Sequence, residues 1–494
     1  MTLQETLRRR LQSWLITGSK TQQAIATFIL CLIVGVSGGA LFAFLGPILA
    51  IALLVAVAGG LLMLRSTQLT FFAIVGVICL LPFAALPVPN IGFSPTLLDL
   101  VLLVLLVNWL FQVARKKQKQ VIGSALALPI VLFMALACAS FIIGLSYAPL
   151  TTNLLRHFVE LLLSIFLFFV VINTVQSPKH LEHIITILIL AGFAASLIGV
   201  VLYFLPQNLT IRLLSTLRVF RYPAGSDVLR FVEDNPDLPL RATSTSIDPN
   251  VLGGLLVIVA GVTVPQFLAH DPLPLFGRWL RWKGINWLVM PVLAVMLLCL
   301  LLTFSRGAMA GLGAALCILA LLRYRKLLGF VLVVGLLILL LPQTQWYVQR
   351  FLAGLRGEDL ATQMRFGEYK DALILISRYP WFGVGFAGAP DIDTYIGVSC
   401  VYLLIAEEMG LIGLAMFLFI MALVMIQILR SLQKITAFPR LESVLLGLFT
   451  ALLGALFTGI FDHYFFNLNF QHAVTLFWLC VGLSIATTLL PDRQ

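Results

Sequence analysis

The feature that most constrains this chain is a recurrence: apolar runs of about 18 to 25 residues follow one another from near residue 24 to near residue 490. That is the length a helix needs to cross a hydrocarbon layer ~30 Å thick. In lipid the backbone must satisfy its own N–H and C=O groups, so each run is expected to be a helix. Only 11% of the 494 residues are charged, which excludes an ordinary soluble core.

Spans are expected near 24–44, 46–64, 69–88, 96–114, 124–145, 156–176, 183–205, 250–269, 286–303, 307–322, 328–341, 411–430, 442–460 and 472–490. The fold class is therefore an all-α polytopic membrane protein with about 12 to 14 transmembrane helices. The formal charge of +11 does not point to nucleic acid, because Lys and Arg stand in small clusters at the ends of the apolar runs. With a cytoplasmic N-terminus, the ends bearing Arg65, Arg115 to Lys119, Lys179, Arg278 to Lys283, Arg323 to Lys326, and Arg430 to Arg440 all fall on the inner side. Both termini are then cytoplasmic in a multi-pass protein of the cytoplasmic membrane, with membrane lipids as its surroundings. The basic N-terminal stretch, with Arg8, Arg9, Arg10 and Lys20, lacks the layout of a cleaved signal. Seven cysteines show no close pairing and read as small hydrophobes rather than disulfide or metal sites.

This topology leaves two long polar segments on the outer face, 206–249 and 342–398, with a tight turn at Ser305-Arg306 and a short loop at 461–471. Loops of that length in a chain with few polar residues are where function concentrates. No phosphate-binding loop accompanies them, and an outer-face reaction has no ATP, so energy must come from a gradient or an activated substrate.

In the first segment, Asp248 and Pro249 suit the start of a helix, but capping does not account for Arg241, which either pairs with lipid headgroups or clamps an anion. In the second, the run from Met364 to Ser377 has helical periodicity that puts Arg365, Tyr369 and Ala372 on one face, until Pro380 ends it. Gly383 and Gly385 follow, suited to a tight turn. Asp391, Asp393 and Tyr395 come next, then Glu407 and Glu408 between apolar stretches. The glutamates mark either a polar break between two half-helices or, for Glu407, support of a site. Among the histidines, His180, His183 and His270 fall on the inner side, leaving His157, His463 and His472. His463 lies in the last outer turn, where Asp462 or a more distant carboxylate could orient it; the alternative is a structural histidine among aromatics.

Four segments together resemble the O-antigen ligase and polymerase family: Thr303-Phe304-Ser305-Arg306-Gly307-Ala308, the stretch from Arg241 to Asn250, the Arg365 helix leading to Gly383-Val384-Gly385-Phe386, and Tyr402 to Gly413. The resemblance covers residues 96–490, and residues 1–95 look like an addition of a basic segment and extra helices. It implies a GT-C-like membrane glycosyltransferase moving glycan from an undecaprenyl-pyrophosphate-linked oligosaccharide to a glycan or glycolipid acceptor, with no cofactor and no metal. The lipid pyrophosphate is its own activated leaving group, and arginines suit it through bidentate, permanently charged contacts. Arg241 and Arg365 match the family's pyrophosphate-contacting arginines. Arg306, Tyr369, Tyr402, Asp462 and Glu407 are the expected substrate-binding residues.

One departure matters. The family has a His-Asn pair before the tyrosine of the last motif; here the stretch is Ser399-Cys400-Val401-Tyr402. Three explanations compete: His463 supplies the base, an aspartate such as Asp391 or Asp393 does, or the chain binds a polyprenyl-linked glycan without transferring it. Cys400 is a poor nucleophile, because its flanks carry no positive charge. The rival classes are a transporter or flippase of lipid-linked glycan and a non-catalytic component of an envelope assembly complex.

Overall fold

The computed structural model describes residues 19–86, 94–114, 123–269, 271, 273, 281–282, 285–286, 289–340, 345–388 and 397–491. Asp391, Asp393 and Tyr395 lie outside them. The chain forms two compact units, Met1–Ser66 and Thr67–Gln494.

The described residues of the first unit form one long helix, α1 (Lys20–Arg65), opened by a capping box in which Ser19 and Gln22 bond each other's backbone N–H. It is interrupted at Gly46, whose φ of 74° is a left-handed conformation open to glycine, and Pro47 follows at once. The interruption falls where the sequence separates its first two spans.

The second unit contains α2 (Thr67–Leu80), α3 (Leu97–Ala114), α4 (Ala127–Gly144), α5 (Thr152–Thr174), α6 (Pro178–Phe204), α7 (Gln207–Ser215), α8 (Pro249–Leu268), α9 (Val289–Leu302), α10 (Arg306–Leu322), α11 (Arg325–Leu340), α12 (Gln345–Arg356), α13 (Leu360–Arg378), α14 (Val401–Ile435), α15 (Pro439–Thr458) and α16 (Gln471–Leu489). Among the described residues, nine helices are long and apolar enough to cross a membrane; α2, α9 and α10 are apolar but shorter. The protein is an all-α polytopic membrane protein.

Its centre is built on α8, α15 and α16, whose apolar stretches are 89%, 78% and 94% buried, against 28% for α3. In lipid, helices gain little from hydrophobicity against one another and depend on close packing, which small residues permit. Gly261 of α8 meets the backbone of Ala451, and Gly447 of α15 meets the carbonyl of Val262, so that any side chain at either glycine would force the helices apart.

A break, one of the two readings of the paired glutamates, is present. α14 is two half-helices joined at Gly410, with φ 70° and ψ −179°. The carbonyls freed by the break are not left bare: Glu407 O accepts from Val384 N at 2.8 Å and Glu408 O from Gly385 N at 3.0 Å, while Leu411 N donates to Pro380 O at 2.7 Å. Gly383 and Gly385, both with positive φ, bring that loop close enough to do so.

The segment 206–249 holds α7, three short 3-10 turns and a two-residue antiparallel ribbon, β1 (Arg230–Phe231) and β2 (Leu240–Arg241). The segment 342–398 is helical over most of its described length, as α12 and α13.

Candidate functional site

α13 presents one working face. Arg365, Glu368 and Tyr369 are spaced i, i+3, i+4, which stacks them on one side of a helix. Opposite stands the first turn of α10, opened by Arg306. The chain reaches it through Phe304, which has a φ of 53°, unusual for an aromatic residue, in a turn held by Thr303 Oγ1, which accepts from Ser305 N at 3.2 Å. Between α10, α12, α13 and the 458–462 turn lies a cleft of about 320 Å³ lined by Arg306, Gly354, Thr362, Arg365, Phe366, Tyr369 and their neighbours. Its walls are predominantly apolar, with two guanidinium groups among them.

Each arginine has its own aspartate. Arg306 Nη2 donates to Asp359 Oδ2 at 2.6 Å, and Arg365 Nη2 stands 3.5 Å from Asp462 Oδ2. Burial raises Asp462 to about 7, against the pull of Arg365 and Arg241. Arg241 is not part of the cleft lining. Its Nε donates to the Thr303 carbonyl at 2.8 Å and its Nη2 to Asn250 Oδ1 at 2.7 Å, so it braces the turn that presents Arg306. Asp248 caps α8 as the sequence suggests, accepting from Asn250 N and Val251 N.

Tyr369 donates its hydroxyl to the Ser399 carbonyl at 3.3 Å, and burial pushes its phenol up to about 12, so it is a neutral donor. Glu368 Oε2 accepts from Ser399 N at 2.9 Å. Neighbouring residues of α13 thus hold both backbone polar groups of Ser399, the position where the sequence departs from its family resemblance.

Asp462 is turned to Arg365 rather than to His463. Burial lowers the imidazole pKa of His463, and Glu368 is the strongest influence opposing it, with the Val398 carbonyl and Asp248 on the same side and Arg365 against. The His463 ring lies 5.8 Å from that of Phe470, and its Nδ1 is buried with no hydrogen-bond partner among the described residues.

The remaining candidates sit apart from the cleft. Tyr402 spends its hydroxyl on the Leu456 carbonyl at 2.7 Å, fastening α14 to α15. Glu407 is fully buried next to the helix break. Cys400 is buried and its thiol pKa is raised by burial, which disfavours the thiolate a nucleophile needs. His157 Nδ1 lies 3.3 Å from Glu160 Oε2, and His472 is buried against the ring of Phe83. Among the described residues, no three His, Cys, Asp or Glu side chains stand together as a metal site would require.

Glu368, Asp359 and Thr362 were not singled out by the sequence. Glu368 could have been, from its i+3 spacing to Arg365. Asp359 carries only the signal of a helix cap, Asp-Leu-Ala-Thr before a periodic run, and its partner is far away in sequence.

What the cleft offers chemically is two fixed positive charges in an apolar surround, suited to an anionic head on an apolar tail. No curated protein matches the chain. Residues 291–418 match the O-antigen ligase family model, a stretch that includes Arg306, Arg365, Glu368, Tyr369 and Tyr402 and stops short of Asp462 and His463, so that about a quarter of the chain is similar to that family.

Proposed function

We propose that the protein is a membrane glycosyltransferase of polysaccharide assembly that moves a glycan from an undecaprenyl-pyrophosphate-linked donor to a sugar hydroxyl at the outer face of the cytoplasmic membrane. The observation that carries this reading is the presence of Arg306 and Arg365 in one largely apolar cleft. A pyrophosphate needs fixed donors, and a prenyl chain needs apolar walls.

In the reaction, the acceptor oxygen attacks the anomeric carbon of the donor sugar. A C–O bond forms on one face, while the bond to the pyrophosphate oxygen breaks on the other, inverting the centre. The leaving group departs with the electron pair as undecaprenyl pyrophosphate, its charge met by Arg306 and Arg365. The acceptor proton passes to His463, which burial favours in the neutral form that can accept it. Glu368 stabilises the imidazolium that results. Arg241 acts through the Thr303 turn, and Asp462 holds Arg365 in place. The donor is already activated, so the reaction needs no nucleotide.

Cells carrying Arg365→Ala in place of the wild-type chain should accumulate lipid-linked glycan that is neither polymerised nor ligated. Normal long-chain product from that variant, at normal protein level, would sink the proposal.

A further inference from the structure

Asp359 stands at the N-cap position of α13, yet its carboxylate is turned toward the cleft wall. Oδ2 takes the 2.6 Å bond from Arg306, and Oδ1 accepts from Thr362 Oγ1, also at 2.6 Å. Thr362 Oγ1 lies 3.4 Å from the same Arg306 nitrogen, which closes a three-member ring of contacts. Burial alone would raise the Asp359 carboxyl, but the bonds from Arg306 and Thr362 outweigh it and hold the pKa below its usual range. The carboxylate is therefore charged at neutral pH.

The other side of the guanidinium is also fixed. It lies so close to Gly354 of α12 that a Cβ there would overlap it. A free arginine side chain has many rotamers to lose on gripping a ligand, and this one is already confined between α12 and the start of α13. The same helix carries Arg365 farther along. Asp359 consequently ties the first turn of α10 to α13 and fixes the distance between the two cationic walls.

We infer that Asp359, with Thr362, is a positioning residue that presets Arg306 for a diphosphate bound in the cleft. This rests on the reading of the cleft as a pyrophosphate site. A carboxylate next to an anion site repels the ligand, so the inference carries a definite sign: presetting outweighs repulsion, and removing the carboxylate weakens binding.

The test compares undecaprenyl pyrophosphate with undecaprenol, each binding to the full-length protein in nanodiscs, across wild type, Asp359→Asn, Asp359→Glu and Thr362→Val. Wild type should prefer the pyrophosphate. Asp359→Asn should raise its Kd about tenfold, the loss expected for one charge-assisted hydrogen bond, with undecaprenol binding unchanged. Asp359→Glu should recover part of the loss. Thr362→Val, which keeps the ion pair and fold, should weaken pyrophosphate binding by a smaller factor. Unchanged or tighter binding in Asp359→Asn, or in Thr362→Val should the first variant not fold, would overturn the inference. A wild type that binds both lipids equally would instead overturn the reading of the cleft.

Discussion

Arg306 and Arg365 stand in the walls of the same cleft, each backed by a buried aspartate, Asp359 for the first and Asp462 for the second. An unpaired guanidinium in such surroundings would be costly, and a fully neutralised one would not hold an anion. Leaving the pairs partly open, with side chains 18% and 24% exposed, meets both demands. Arg306→Ala and Arg365→Ala should each lower turnover of lipid-linked donor by about 10²-fold, the scale of losing one preorganised oxyanion partner. Lysine at either position should restore part of the rate, because charge is kept while the planar fork is lost. Initial rates with a saturating acceptor check this.

His463 gives a pH prediction with a fixed sign. Its imidazole is lowered by burial below the ordinary histidine value, so the base form persists into mildly acidic solution and the rate falls only at lower pH. Glu368 opposes that lowering. Glu368→Gln should therefore move the acidic limb of the kcat/KM profile further down in pH while reducing the rate, and His463→Gln should remove the limb. A limb unmoved by Glu368→Gln would separate the two residues.

Asp462 bears on stability. Its carboxyl rises to about 7 on folding through burial, from an ordinary value near 4 in the unfolded chain. The sign follows from linkage: the contribution is fully present below the unfolded value and is lost as pH rises through about 7. Asp462→Asn should thus melt higher relative to wild type at pH 8 than at pH 4. Thermal denaturation in detergent at the two pH values measures the difference.

Gly410 tests the broken helix. Its φ of 70° and its contact with the Trp381 carbonyl leave no room for a side chain. Gly410→Ala should cost about 1 to 3 kcal/mol and lower the melting temperature, because alanine is strained at positive φ. An unchanged melting temperature would mean that the break is not a fixed feature of the folded chain.

Much of this architecture is legible in the residues themselves. Run length marks the helices, Asp248-Pro249 marks the start of α8, and Glu407-Glu408 marks the break in α14, because a bilayer penalises any other arrangement. The periodicity of 364–377 correctly aligned Arg365 and Tyr369 on one face. The partners of those residues were less legible. Asp462 precedes His463 directly and invites a pairing, yet adjacent residues in a turn point differently, and its carboxylate meets Arg365 instead. Arg241 resembled a clamp by type and position, and only the fold reveals that its N–H groups bond the Thr303 carbonyl and Asn250. Asp359 is not singled out by the sequence at all, because local sequence cannot reveal a partner on another helix.

The most direct measurement is turnover by purified protein in liposomes without an ion gradient, supplied with undecaprenyl-pyrophosphate-linked glycan and its acceptor. The account predicts elongated or ligated glycan with release of undecaprenyl pyrophosphate, both lowered about 10²-fold by Arg306→Ala and by Arg365→Ala. Product formed equally well by both variants, or donor crossing the bilayer with its glycosidic bond intact, would contradict it.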